Sequence, residues 1–305
     1  MLFELQNQIF GHDEIATQFL NAFTSEKLHH AWLFTGERGM GKSTIAKAIA
    51  KFLLTNPQNP QSVFEDADPK VARKMDNASH PDYLFIGLLE GDKEIKVEQA
   101  RELQRFASTR PLEGKYKVVV IDPIDDFNTN SCNALLKILE EPPQNFIFLI
   151  VCHSLGAVLP TIKSRVKTVQ VKPLSYPDFK KALLQLDFAE DKIDPLYELS
   201  QGSLHVALQF AQDEQLDLYQ QVKHVVRNAT PTLMDIKNLS DLVTQEDNWE
   251  LFKYSIRRVM HEWLVACDIT LKKKVLDKIE QINLRLNSCD NQHLDKQQTV
   301  LTILL

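Results

Sequence analysis

Short apolar runs and helical periodicities take turns along the first half of the chain. The runs at Ala31 to Thr35, Tyr83 to Ile86, Lys117 to Ile121, Phe146 to Val151 and Thr168 to Val171 are mostly continuous in apolar residues. Strands of that kind are covered on both faces, as in a parallel sheet. Between them the pattern changes period. Ser43 to Leu54 sets Ile45, Ile49, Phe52 and Leu53 at i, i+4, i+7 and i+8, one face of a helix that must pack on the sheet. Lys96 to Ser108 is rich in helix formers and stops before Arg110-Pro111, because a residue preceding proline is pushed out of the helical region. This alternation predicts an α/β domain built on a five-stranded parallel sheet.

Residues 55 to 82 break the alternation with four prolines and polar filler, and read as an irregular excursion around a short helix near Pro69 to Lys74. After Val171 strand signals cease, and the rest of the chain reads as helices joined by polar turns. The class change near Lys172 and a second seam near Gln212 to Glu214 divide the chain into 1–171, 172–213 and 214–305. In the last block Val275, Leu276, Ile279, Ile282 and Leu286 form an apolar stripe, for which packing within the chain is the first explanation.

A chain of 305 residues exceeds one small core, which agrees with several domains. The net charge of −6 argues against tight autonomous DNA binding, whose affinity comes mainly from neutralising phosphates. The longest apolar run, Phe146 to Cys152, is too short to cross a bilayer, and no basic start precedes an apolar signal core, so a cytoplasmic protein without membrane contact is expected. Cys132, Cys152, Cys267 and Cys289 form no CxxC pair, and His29, His30, His80 and His153 are not spaced as a metal set. Packing, capping or surface roles are expected of these histidines. Arg101, Arg105 and Lys115 are candidate DNA-facing residues, against the simpler reading of a solvated surface.

The chemistry concentrates after the first strand. Gly36-Glu37-Arg38-Gly39-Met40-Gly41-Lys42-Ser43, followed by Thr44, satisfies the phosphate-loop pattern and has an apolar strand before it and an amphipathic helix behind it. Glycines let the backbone curl toward phosphate, Lys42 reaches the outer phosphates, and Ser43 can ligate magnesium at the positive end of the helix. Asp122, closing its own apolar strand, is the second candidate on the metal side, so ATP with magnesium is the expected ligand. Many P-loop ATPases place a water-activating Glu directly after this Asp. Here the position is Pro123, which accepts no proton. Asp125 and Asp126 follow, and capping of a helix start is favoured for them over a displaced catalytic role.

The runs LHHAWLFTGERGMGKSTIAKAIAKFLL (Leu28 to Leu54), NALLKILEEPP (Asn133 to Pro143) and LPTIKSR (Leu159 to Arg165) resemble the AAA+ clamp loaders of bacterial DNA polymerase III, and among them the delta-prime type. The resemblance implies an AAA+ sheet domain over 1–171, a small helical lid over 172–213 and a helical collar over 214–305. It also implies a place in the polymerase III holoenzyme beside tau/gamma motor subunits and delta, with the sliding clamp and primed DNA reached through the complex. Ser164-Arg165-Val166 stands where the family has Ser-Arg-Cys, and Arg165 is thereby implied as an arginine finger acting in a neighbouring ATP site. Gly202-Ser203-Leu204-His205 puts a histidine where motor subunits carry a sensor Arg. With Pro123, this implies weak hydrolysis or none by the chain itself. The family's cysteine zinc module is missing from 55–82, so no zinc is expected. A tau/gamma-type motor and a stand-alone AAA+ remodelling ATPase are the alternatives.

Overall fold

The computed structural model describes residues 9–65, 67–88, 95, 97–211, 213–227, 231–244, 248–292 and 294–304. The chain forms two compact units, Met1–Ala182 with Gly202–His205, and Leu183–Gln201 with Val206–Leu305.

The first unit holds the sheet. Its strands are β1 (Ala31–Thr35), β2 (Tyr83–Gly87), β3 (Lys117–Asp122), β4 (Phe146–Cys152) and β5 (Lys167–Gln170), hydrogen-bonded in the order β2-β3-β4-β1-β5. Every pairing is parallel. The five expected strands are all present; the last begins one residue earlier than its apolar pattern implied, because Lys167 pairs with Trp32. All seven residues of β4 are buried, as two-sided cover requires.

Because successive side chains of a strand point to opposite faces, each apolar run feeds two cores at once. Trp32, Phe34, Val118, Val120, Ile147 and Leu149 pack on one face with Phe19 of α1 (Asp13–Thr24) and with Ile45, Ile49 and Phe52 of α2 (Lys42–Thr55). On the other face Ala31, Leu33, Val119, Ile121, Phe148 and Ile150 meet Leu103, Leu135 and Ile162. The excursion after α2 contains α3 (Pro69–Asp76), which starts at the expected proline and is capped by the Asp68 carboxylate. Leu103 lies on α4 (Val97–Ala107), Leu135 on α5 (Thr129–Glu140) and Ile162 on α6 (Pro160–Lys163). The start expected for α4 at Lys96 lies outside the described residues.

A buried carboxylate braces this unit away from the sheet's C-terminal edge. Asp82, fully buried, accepts the backbone N–H groups of Leu112 (2.8 Å), Glu113 (2.7 Å) and Gly114 (3.3 Å). Nearby Lys117 is buried with its ammonium on the Phe106 carbonyl and 4.0 Å from the centre of the Phe106 ring.

Beyond β5 the described residues are helical: α7 (Tyr176–Gln185), α8 (Glu190–Ser200), α9 (Leu204–Gln209), α10 (Asp213–Arg227), α11 (Leu233–Val243), α12 (Asn248–Ala266), α13 (Ile269–Gln292) and α14 (Lys296–Leu304). Gln212, at the expected seam, lies outside the described residues. Within the second unit Lys223 of α10 pairs with Glu198 of α8, and the Tyr254 hydroxyl of α12 donates to the Leu199 carbonyl. Thr232 and Asp235 form a reciprocal capping box that starts α11. Lys253, buried on α12, reaches Asp290 of α13 at 2.7 Å, and the Trp249 indole donates to the same carboxylate at 2.7 Å. Of the apolar stripe, Val275, Ile282 and Leu286 are buried, whereas Leu276 is half exposed.

Candidate nucleotide-binding site

The loop after β1 turns sharply at Gly36, whose φ is 147°. A Cβ there would come within 2.5 Å of the Val171 carbonyl oxygen, so the loop can leave β1 beside the end of β5 only as glycine. Gly39, with φ of 82°, is similarly constrained: a Cβ would stand 2.7 Å from Ser203 Oγ, and that hydroxyl donates to the Gly39 carbonyl at 3.0 Å. Gly41 is the N-cap residue of α2, so the loop empties into the N-terminus of that helix. Glu37 and Arg38 are exposed and Met40 is buried.

Lys42 is buried under this loop and donates to the carbonyls of Gly36 (2.7 Å) and Glu37 (2.5 Å). Burial pushes its pKa down, while the charge of Asp122, and then those of Cys152 and Asp125, push it up. Asp122 is the last residue of β3, and because the strands pair in parallel it ends on the same edge as the loop after β1. Ser43 and Thr44, half-buried, open α2 on that edge. A helix N-terminus, a desolvated lysine, a hydroxyl and a carboxylate are the groups that a phosphate chain and a hard, oxygen-seeking cation require.

Three residues join this site that the sequence does not assign to it: His12 carries no expectation, His153 one of packing, capping or surface placement, and Ser203 stands only beside the sensor position of His205. His153 follows directly on β4, and its pKa is lowered first by burial and then by the charges of Lys42 and Arg38. Its Nδ1 is buried without a hydrogen-bond partner among the described residues. The available signal was positional: the residue after a central parallel strand falls at the sheet edge where the phosphate loop lies. His12, in the left-handed conformation at the start of α1, has its pKa lowered first by burial, opposed by Asp13, Asp178 and a hydrogen bond with the Met40 backbone. Ser203, the third, precedes His205, which is exposed and lies over Gly39, its ring 3.4 Å from where a Cβ would be.

Asp125 and Asp126 do not cap the helix that follows. They sit in a separate 3-10 turn, Ile124–Asp126, and α5 is capped by Asn128, which accepts from the Ser131 N–H at 2.9 Å. Asp125 instead accepts the backbone N–H groups of His153 (2.7 Å) and Ser154 (2.8 Å), clamping the end of β4 to the end of β3. Pro123, next to Asp122, is buried.

Arg165 is not brought to this loop. It precedes β5, whose Lys167 to Gln170 pair with Trp32 to Thr35, so the full length of β5 separates it from Gly36. Four residues at about 3.3 Å each make that roughly 13 Å along the strand. The guanidinium is about one-third exposed and pairs with Glu140 at 2.9 Å. Arg101, Arg105 and Lys115 are exposed. All four cysteines are free, and no helix among the described residues is long and apolar enough to cross a membrane.

Comparison with known proteins assigns the lineage. Residues 11–175 match the family model described as DNA polymerase III, delta subunit, and this span covers both the loop and Arg165. The chain belongs to this family. Curated relatives of this family member include DNA polymerase III subunit gamma from Buchnera aphidicola (strain Sg), 28% identical over 283 residues, covering 91% of this chain and 72% of the relative. Subunit delta' from Pseudomonas aeruginosa is 38% identical over 136 residues, 45% of this chain and 41% of the relative. Against subunit tau of Escherichia coli the match is 31% over 180 residues, only 26% of that protein's length. Among solved structures, a gamma subunit-related protein of DNA polymerase III from Thermotoga maritima shares the fold, with a TM-score of 0.50 at 18% identity over 94% of this chain and 97% of that one.

Proposed function

We propose that this chain is a clamp-loader subunit of DNA polymerase III of the delta-prime type, organised as a sheet domain, a helical lid and a helical collar. It acts in the cytoplasm beside tau/gamma and delta subunits and reaches the sliding clamp and primed DNA through the complex. ATP with magnesium is held by Gly36 to Thr44 and Asp122, with Ser43 and Asp122 on the metal side. The residues present fit that group: the loop is shaped by glycines that a Cβ would block, and Lys42 is desolvated beside Asp122.

The observation that carries the delta-prime reading is Pro123 beside Asp122, with His205 over Gly39. A buried proline beside Asp122 supplies no proton acceptor, and a histidine at the sensor position supplies no fixed cation. Arg165 acts elsewhere. Since β5 keeps it from its own loop, its planar, permanently charged fork serves a neighbour's transferring phosphate.

The test separates binding from turnover. The purified chain binds Mg-ATP, Lys42→Ala abolishes binding, and hydrolysis stays far below that of a motor subunit. In the reconstituted complex, Arg165→Ala lowers DNA-stimulated ATPase activity while assembly is preserved; fingers in other NTPases contribute roughly 10³ to 10⁵ at the site they serve. Motor-level turnover by the isolated chain would instead establish a gamma/tau-type ATPase, the reading favoured by the extent of the gamma match.

A further inference from the structure

The C-terminal end of α5 carries two acids, Glu140 as its last residue and Glu141 beyond it. Acidic side chains are disfavoured there by the partial negative charge of the helix end. Helix stability therefore gives Glu140 no reason to be acidic. Its carboxylate is half exposed and spends one oxygen on Arg165, at 2.9 Å from Nη2.

A second nitrogen of the guanidinium is also held. Nη1 donates to the Thr161 carbonyl at 2.8 Å and to Ser164 Oγ at 3.2 Å. Thr161 lies in the single turn of α6 and Ser164 follows it, so Arg165 is held between a carbonyl of that turn and the acidic end of α5. A guanidinium has five N–H donors. Thr161 and Ser164 take the two on Nη1, Glu140 is ion-paired to Nη2, and among the described residues the N–H of Nε has no partner. The side chain is thus tied through Nη1 and Nη2 while about one-third of it stays exposed.

We propose that Glu140 is a positioning residue for Arg165: it holds the guanidinium so that the Nε donor faces outward to an oxyanion on a neighbouring subunit. This rests on the reading of Arg165 as a finger in trans. A long arginine side chain loses rotamer freedom when it engages a ligand, and an ion pair that has already ordered it removes part of that cost. Glu140 touches no reacting atom and acts through Arg165 alone.

The test uses the reconstituted complex with four versions of this chain: wild type, Glu140→Gln, Arg165→Ala and the double variant. Glu140→Gln is expected to lower the maximal DNA-stimulated rate by roughly 3- to 10-fold at the site served, short of the 10²-fold that gross misplacement of a reacting group costs. KM for ATP and assembly stay unchanged, Glu140→Asp recovers part of the rate, and the double variant matches Arg165→Ala. A wild-type rate in Glu140→Gln while Arg165→Ala is impaired overturns the positioning role and leaves the finger standing. A wild-type rate in Arg165→Ala removes the finger, and this inference with it. Additive losses in the double variant show that Glu140 acts independently, which also overturns the proposal. In the isolated full-length chain, the Arg165 Nε–H resonance should be sharp and ordered in wild type and averaged in Glu140→Gln; an unchanged resonance contradicts the proposal without reference to any motor subunit.

Discussion

Replacing Asp125 with alanine distinguishes a clamp from a displaced catalytic base. The carboxylate accepts from the part-buried His153 amide at 2.7 Å and from the exposed Ser154 amide at 2.8 Å. Hydrogen bonds to a charged acceptor contribute about 1.5–3 kcal/mol each. The His153 amide, once orphaned, has little water to turn to, whereas the Ser154 amide is rehydrated and loses less. The sum is about 2–4 kcal/mol, which in a domain of 150–250 residues lowers Tm by roughly 5–15 °C. Asp125→Asn keeps one acceptor oxygen without the charge and should fall between wild type and Asp125→Ala. Thermal and urea unfolding measure the stability, and titration with a fluorescent ATP analogue at a temperature where both proteins are folded measures the site. Nucleotide affinity should weaken because His153 beside Lys42 is no longer anchored. The reasoning fails if Asp125→Ala melts like wild type while hydrolysis by the complex drops at least about tenfold, since only a chemical role produces that pair of results.

Gly36→Ala should abolish nucleotide binding and lower Tm, because the new methyl would meet the Val171 carbonyl at 2.5 Å; calorimetric titration with Mg-ATP checks this, and wild-type affinity would refute it. Asp82→Ala strips three backbone donors of their shared buried acceptor and should destabilise by about 3–5 kcal/mol, read from the urea midpoint. Acidification should also destabilise the protein. His12, His30, His80 and His153 all have pKa values lowered from 6.5, by burial first in each case. A group whose folded pKa lies below its unfolded value binds its proton more readily unfolded, so stability is held above pH 6.5 and lost as the pH falls below it. The urea midpoint should therefore be lower at pH 5.5 than at pH 7.5, with the difference reduced in His80→Gln; a flat profile would contradict the assignment.

The strands, the long helices and the phosphate loop are written in neighbouring residues, which is why their positions could be read from the chain. The apolar run Phe146 to Val151 is too short for a core helix and rich in β-branched and aromatic residues, which marks a buried strand, and the glycine spacing of Gly36 to Ser43 between a strand and an amphipathic helix marks a curled phosphate loop. The positions that fell differently depend on distant partners. Asp125 looks like a helix cap until β3 and β4 are placed side by side, which brings in amides 28 and 29 residues away. Ser203 reaches Gly39 across 164 residues of sequence. His153 carries no local mark of a site residue; it becomes one because all five strands run parallel and deliver their C-terminal ends to one edge. The same strand order sets Arg165 at the opposite end, beside Glu140. Local periodicity reports which face of an element is apolar, but the order in which strands pair is a choice among global arrangements, and it was that order that turned separate carboxylates, histidines and an arginine into a loop-side site and a rim-side cation.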